Sequence, residues 1–213
     1  MRQALERLGW SPDHIHELRE FDREGLQAEL DWLAASADEN DIALFYVTAH
    51  GSYLDDVLAW DQFVPDEWAE VPGARRLLVV DACTAAEFTN DLASDPEPHL
   101  AVAAVGDEEL SWKGLEEEGL PIIGSVFTFY FTSALNDPDA DADGDGMVSV
   151  QEAAHMADEQ QRAYMHDVVF AVPEFVEMFH EAGGAPNEDP GYPRVSLEDT
   201  LGKPFHLALD AYR

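Results

Sequence analysis

Arg76-Leu-Leu-Val-Val-Asp-Ala-Cys83 and, upstream of it, Asp41-Ile-Ala-Leu-Phe-Tyr-Val-Thr-Ala-His50-Gly51 are the two stretches that decide the fold. Each contains an apolar run without helical spacing, which is typical of a strand that is buried on both faces. We therefore predict strands at 42–48 and 76–82. Parallel strands of an open α/β sheet present their carboxyl ends to one crevice, so His50 and Cys83 are expected to face each other there.

The rest of the chain alternates predicted helices with predicted strands. Leu26, Leu30 and Leu33 fall on one face of a helix that follows the N-cap residue Asp22. The alternation predicts an α/β fold with a mostly parallel sheet covered on both faces, in a single domain spanning residues 1–213. The predicted helices are 23–37, 85–93, 124–136 and 150–181, and the further predicted strands are 100–105 and 205–210.

Two regions stay open at this level. Ile15 to Leu18 could form a short strand or part of a short helix, because the apolar pattern does not separate the two. The segment between His50 and Arg75 contains either a short helix or a loop.

Charge dominates the composition. The chain has 45 acidic and 11 basic residues, a formal net charge of −34, which argues against nucleic acid and anionic membranes as partners. Because molar salt would screen the self-repulsion, we expect a salt-adapted, halophilic protein, although an ordinary acidic protein with a well-solvated face is the alternative.

Other features bear on the compartment. The single cysteine excludes an internal disulfide, and no apolar run approaches the roughly 20 residues that span a bilayer. The N-terminal segment has no apolar core of a signal peptide. These features predict a cytoplasmic protein.

The pair His50 and Cys83 has the chemistry of a nucleophile and its base. A thiolate is the reactive form of cysteine, and a nearby histidine can take its proton and later protonate the leaving amine. The N–H groups of Gly51 and Cys83 could hold the oxyanion. Taken singly, each side chain is more often structural, since a lone cysteine commonly packs as a small hydrophobe.

Four blocks resemble the signature segments of caspase-like cysteine peptidases, in the prokaryotic metacaspase or orthocaspase branch. Phe45-Tyr-Val-Thr-Ala-His50-Gly51 is similar to their strand and Ser-Gly-His-Gly motif, and Val79-Val-Asp81-Ala-Cys83 to their Leu-Asp-Ala-Cys block. Gly124-Ser-Val-Phe127-Thr128 resembles their Gly-x-Phe-Thr segment, and the Asp-Gly-Asp-Gly stretch 143–146 recurs in prokaryotic members. The resemblance implies a caspase-like three-layer α/β/α sandwich.

The resemblance also implies hydrolysis of peptide bonds by a dyad of His50 and Cys83. Asp81 occupies the position of the family aspartate that lines the pocket for a substrate Arg or Lys side chain, and a carboxylate there would attract a cation. Alternatively, Asp81 caps backbone N–H groups at the strand end. Cleavage after aspartate is disfavoured, because the arginine that follows the cysteine in animal caspases is absent.

The chain departs from the family pattern in two places. After the cysteine it has Thr84-Ala85-Ala86, where the family has an aromatic residue or His and then Ser-Gly. The family's first strand, which lies beside the strand equivalent to 42–48, is also missing. The sheet then either closes up or keeps a gap or bare edge, which a second copy or another chain could complete.

The acidic stretch 141–152 fits the twelve-residue calcium loop of an EF-hand. The expected Ca²⁺ ligands are the carboxylates at positions 1, 3, 5 and 12 and the carbonyl at position 7. The alternative is an acidic loop that is solvated and binds no ion. These ligands are Asp141, Asp143, Asp145, Met147 and Glu152.

Together these features predict a cysteine endopeptidase that cleaves peptide or protein substrates after Arg or Lys and is stabilised by calcium. The alternatives are a catalytically inactive caspase-like module that binds or regulates, and a plain calcium-binding protein.

Overall fold

The computed structural model describes residues 1–73, 75–90, 92, 97–186, 188–189 and 191–209, and only the backbone of residues 62 and 63. Its main sheet has the strands β1 (Ile42–Thr48), β2 (Arg75–Asp81), β3 (His99–Ala103) and β6 (Ser196–Asp199) in the order β1-β2-β3-β6. The first three are parallel, and β6 runs antiparallel to β3. The predicted α/β class with a mostly parallel sheet is therefore confirmed.

Helices connect these strands and lie against the sheet, an arrangement compatible with a three-layer sandwich. Two short strands, β4 (Lys113–Gly114) and β5 (Gly124–Ser125), form a separate antiparallel ribbon. The helices are α1 (Arg2–Arg7), α2 (Arg23–Ser36), α3 (Trp60–Ala69), α4 (Ala85–Asn90), α5 (Val126–Ala134), α6 (Val150–Tyr164) and α7 (Pro173–Glu181). None of the described helices combines the length and the apolar character needed to cross a membrane.

The predicted helix 23–37 is confirmed as α2, and Asp22 caps it by accepting a 2.8 Å hydrogen bond from the Gly25 N–H. The predicted helix 150–181 is two helices, α6 and α7, separated by a π-helical turn at Met165–Val169. The open segment after His50 contains the π-helical turn Tyr53–Val57 and then α3.

The core is built on β2 and β3, which have neighbours on both edges and helices over them. Every residue of β3 is buried, as are all residues of β2 except Arg75. Aromatic rings join β1 to α3, since Phe45 lies parallel to Trp60 at a centroid distance of 6.0 Å. This packing gives the carboxyl ends of β1 and β2 a rigid support.

One predicted strand is wrong, and one region that the sequence left open is now defined. The final strand is Ser196–Asp199, whereas Phe205 to Leu209 only contributes an isolated bridge between His206 and Ser149, and Asp210 lies outside the described residues. Ile15 to Leu18 is not a strand but follows a 3₁₀ turn, Pro12–His14, and continues in an irregular conformation. A segment can form a ladder only beside another strand, and Ile15 to Leu18 has none next to it.

The outer edge of β1 is bare. Within the described ranges β1 is the terminal strand of the sheet, and no strand covers its far side. Of the arrangements considered for the sheet, the described structure therefore has the one with a bare edge beside β1.

Candidate active site and candidate metal loop

The two reactive residues follow neighbouring strands that are in register. Thr48, the last residue of β1, is paired with Asp81, the last residue of β2. The Ala49 N–H extends the ladder with a 3.2 Å bond to the Asp81 carbonyl. His50 and Cys83 each come two residues after these partners, so the structure brings them to the same end of the sheet, the carboxyl end of β1 and β2.

Gly51 shows how closely the two strand ends approach each other. A Cβ added at Gly51 would lie 2.6 Å from the carbonyl oxygen of Cys83, a separation that side chains do not tolerate. Only glycine therefore permits this contact. Besides its N–H group, Gly51 therefore has the role of letting the two turns touch.

The side chains of the pair differ in exposure. His50 is exposed and Cys83 is partly buried. In the described part of the chain the His50 ring makes no hydrogen bond, and the Cys83 Sγ has one contact of this kind, at 3.9 Å from the Ser111 carbonyl. Burial raises the pKa of the Cys83 thiol, and the nearby Asp81 charge raises it further. Burial and the Asp81 charge thus both disfavour the thiolate form of Cys83.

The turn after Cys83 is strained. Thr84 has φ +55°, in the left-handed region that β-branched residues rarely adopt. Its N–H donates a 2.7 Å hydrogen bond to the Glu109 carbonyl. The Glu109 side chain is itself buried and held by Arg194, whose N–H and guanidinium both donate to it. These contacts fasten the loop that carries Ser111 against the cysteine.

Asp81 lies beneath the carboxyl end of β2 in a polar pocket. Its carboxylate is 2% exposed and accepts hydrogen bonds from the hydroxyls of Ser111, at 3.3 Å, and of Ser125 and Thr128. The Tyr46 hydroxyl joins the group at 2.5 Å from Thr128 Oγ1. Burial raises the pKa of Asp81, and the hydrogen bonds oppose that rise.

Asp81 was interpreted either as the carboxylate that binds a substrate Arg or Lys side chain or as a cap of backbone N–H groups, and its hydrogen-bond partners bear on both interpretations. The Thr128 N–H helps to lower the pKa of the Asp81 carboxyl, although its hydrogen bond goes to Ser125 Oγ at 3.1 Å. Most of the partners are side-chain hydroxyls, however, and among the described residues no Lys or Arg reaches this carboxylate. A buried carboxylate without a cationic partner is poorly compensated, which suits a site that receives a cation from elsewhere.

Sequence reasoning did not identify the hydroxyl groups around Asp81. Ser125 and Thr128 lie in the Gly124–Thr128 segment, and their one local signal is that Ser125 caps α5 by accepting from the Thr128 N–H. Ser111 and Tyr46 carry no spacing signal, because only the fold brings them near Asp81.

The acidic stretch 141–152 forms a closed loop before α6. Asp141 accepts hydrogen bonds from the N–H groups of Gly144 and Gly146, at 2.8 and 2.9 Å, and both glycines have positive φ. Ligand oxygens of Asp141, Asp143 and Asp145 lie within 4.8 Å of one another. Three carboxylates at this separation can share one hard cation.

Glu152 closes the loop from the first turn of α6. Its carboxylate accepts from the N–H groups of Ala142 and Asp143 at 2.9 and 3.1 Å, and from Ser149 at the helix N-cap. Burial alone would raise the pKa of Glu152, but these hydrogen bonds together lower it. The predicted ligand Met147 lies in the same turn, and its N–H donates to Asp145 at 2.8 Å.

The structure thus brings His50, Gly51, Cys83 and Asp81 to the carboxyl end of β1 and β2. The three loop aspartates are gathered at a separate place. No protein-family model matches the sequence, and a search of curated proteins finds none that is detectably similar.

Proposed function

We propose that this protein is a caspase-like cysteine endopeptidase, with a three-layer α/β/α fold, that cleaves peptide bonds after Arg or Lys. The observation that carries the proposal is the position of Asp81. Its buried carboxylate is lined by hydroxyl groups and lies directly behind the strand ends that bear His50 and Cys83.

The chemistry follows from the two strand ends. His50 takes the proton of the Cys83 thiol, and the sulfur attacks the peptide carbonyl carbon. The N–H groups of Gly51 and Cys83 donate to the oxyanion. His50 then gives its proton to the departing amine, leaving a thioester. His50 next takes a proton from water as that water attacks the thioester. The C–S bond breaks to release the acid, and His50 returns its proton to the sulfur, which restores the thiol.

A basic substrate side chain would help this step. The Asp81 charge disfavours the thiolate of Cys83, because both are anionic. A guanidinium or ammonium group bound beside Asp81 offsets that repulsion while satisfying the buried carboxylate. Recognition of Arg or Lys and ionisation of the nucleophile are therefore coupled.

The test is turnover of fluorogenic peptides that end in Arg, Lys or Asp, measured in high salt. We expect cleavage of the Arg and Lys peptides and none of the Asp peptide, with activity reduced by about a thousandfold or more in Cys83→Ala and His50→Ala. His155→Ala is the matched control, because this histidine is 73% exposed on α6. Equal turnover by Cys83→Ala would end the proposal.

The second candidate is a caspase-like module that binds peptides without cleaving them. It is favoured by the raised pKa of the Cys83 thiol and by the absence of a hydrogen bond between this thiol and His50 in the described structure. Binding of an Arg-terminated peptide to the wild-type protein, lost in Asp81→Asn, without turnover under any condition, would identify this alternative.

We further propose that the loop 141–152 binds Ca²⁺ through Asp141, Asp143, Asp145, the Met147 carbonyl and Glu152. The support is the clustering of three carboxylates in a turn that already has two glycines in the left-handed conformation. The ion would fix the start of α6. Calorimetry should show one Ca²⁺ per chain, lost in Asp141→Ala and retained in Asp139→Ala, an exposed aspartate just outside the loop.

A further inference from the structure

A groove runs along the bare edge of β1. It has a volume of about 1110 Å³, with the outer side of β1 as one wall and residues 11–19 as the other. Apolar side chains of α1 and α2, including Leu5, Leu26 and Leu30, line it as well. The groove includes neither His50, Cys83 and Asp81 nor any residue of the calcium loop, and it shares Tyr46 with the surroundings of Asp81.

β1 has the sequence of a central strand and the exposure of an edge strand. Residues 42–47 are all apolar or aromatic, as in a strand that is covered on both sides. Four of them, Ile42, Leu44, Phe45 and Tyr46, are nevertheless only partly buried, whereas β3 is buried throughout. Edge strands are usually protected by charges, proline or bulges, and 42–48 has none of these.

The backbone at this edge is available for pairing. The Ala49 N–H points to β2, where it bonds to the Asp81 carbonyl. Because successive residues of a strand point to opposite sides, the N–H and C=O groups of Leu44 and Tyr46 and the N–H of Thr48 point outward into the groove. A strand placed there would meet hydrogen-bonding groups on β1 and apolar side chains of α1 and α2. Its other side would face a wall that carries Asp13, Glu17 and Arg19 beside Ile15 and Leu18.

The volume of the groove is close to that of one strand. A seven-residue strand is about 23 Å long, strands are about 4.8 Å apart and packed layers about 10 Å apart, so one such strand occupies roughly 1,100 Å³. The opposite wall is held in place, since the Arg2 guanidinium donates to the Ile15 and Pro12 carbonyls at 2.8 and 3.2 Å, and His16 stacks on Trp32.

We infer that this groove binds one extended peptide strand of about seven residues from a partner polypeptide, with apolar side chains and no net negative charge, as an added strand next to β1. Charge selects against the other occupants. A second copy would bring another −34 charges to a chain that already carries −34.

Hydrogen exchange with a defined probe tests the inference. The probe is the acetylated and amidated peptide Lys-Val-Thr-Val-Leu-Val-Thr-Val-Lys. We expect saturating peptide to slow exchange at the outward amides of Leu44, Tyr46 and Thr48, while those of Ala43, Phe45 and Val47, already bonded to β2, change little. Unchanged exchange at all of these amides would overturn the proposal.

Two altered peptides distinguish strand pairing from nonspecific hydrophobic contact. Methylation of the peptide backbone nitrogens should abolish binding, since it removes the donors to β1, and replacement of both lysines by glutamates should weaken it at low salt. Equal binding of the methylated peptide would contradict strand addition. Protection of the outward amides by a concentration-dependent dimer, without peptide, would show that a second copy is the occupant and overturn the proposal.

A matched pair of variants locates the binding site. Leu33 lines the groove, whereas Ala35 on the same helix is exposed and does not. Leu33→Gln should weaken peptide binding by about tenfold through lost apolar contact, and Ala35→Gln should leave it unchanged. Circular dichroism and a melting curve confirm that both variants are folded. Equal affinity of the two variants would place the peptide elsewhere.

Discussion

At the scale of single residues, Asp81 should reduce stability at neutral pH. Burial raises its pKa above the ordinary 3.8, so the folded state holds this proton more tightly than the unfolded state does. Its contribution to stability is therefore fully present below pH 3.8 and is lost as the pH rises through the raised pKa. This direction is the opposite of that for a salt-bridged aspartate.

Asp81→Asn should accordingly be more stable than the wild type at neutral pH, by about 1 kcal/mol or 2–4 °C in Tm. The gain should shrink as the pH falls towards 4, where Asp81 becomes protonated. Thermal unfolding of both proteins at several pH values measures it. A variant that is less stable at pH 7 would show that the hydroxyl groups favour the ionised carboxylate after all.

Cys83 gives a second prediction at this scale. Its thiol pKa is raised by burial and by the Asp81 charge, so the rate of alkylation by iodoacetamide should rise with a midpoint above the roughly 8.5 of a free thiol. Asp81→Asn should move the midpoint down. Since Cys83 is the only cysteine, the reaction reports on this site alone. A midpoint below pH 7 would instead reveal an ion pair with His50.

At the scale of elements, the turn between β2 and α4 is the strained part. Thr84 adopts a left-handed conformation that costs an L-residue about 1–2 kcal/mol and glycine very little. We therefore expect Thr84→Gly to be about 1 kcal/mol more stable than Thr84→Ala, which keeps the Cβ and its strain. Denaturant unfolding of the two variants compares them. Equal stability would mean that the turn relaxes without cost.

Elements with continuous apolar patterns could be predicted from the sequence. The run 42–48 corresponds to β1 at both ends, and 76–82 differs from β2 by one residue at each end. Ser196–Asp199 was missed because it is an edge strand with two acidic residues and no apolar run. The alternation at 205–210 was misleading, since Phe205 serves instead to accept a bond from the Val150 N–H at the start of α6.

The part of the candidate site that lies on the strands could be predicted, because those strands have continuous apolar patterns, whereas the part that lies elsewhere could not. His50, Cys83 and Asp81 lie at or just after strand ends, so the strand pattern alone places them together. Ser111 reaches Asp81 from a loop, and Ser125 reaches it from the end of the two-residue strand β5. A single hydroxyl residue in a loop has no period, and its partner can be found only from the folded chain.

At the scale of the whole molecule, the net charge of −34 should make stability depend on salt. We expect Tm to rise steeply between 0.1 and 1 M KCl, because the screening length falls from about 10 Å to about 3 Å over that range. Above about 1 M the curve should flatten, since little repulsion remains to be screened. A rise that continues in proportion to concentration would point to exclusion of the salt from the surface, and a falling Tm would contradict the prediction.

The ribbon of β4 and β5 encloses the loop 115–123, and the strands before and after this loop belong to one sheet, because β6 pairs with β3. A single peptide bond broken within the loop would therefore leave two chains in one particle of unchanged size. Such a cut would be invisible to gel filtration and would appear only when the protein is denatured.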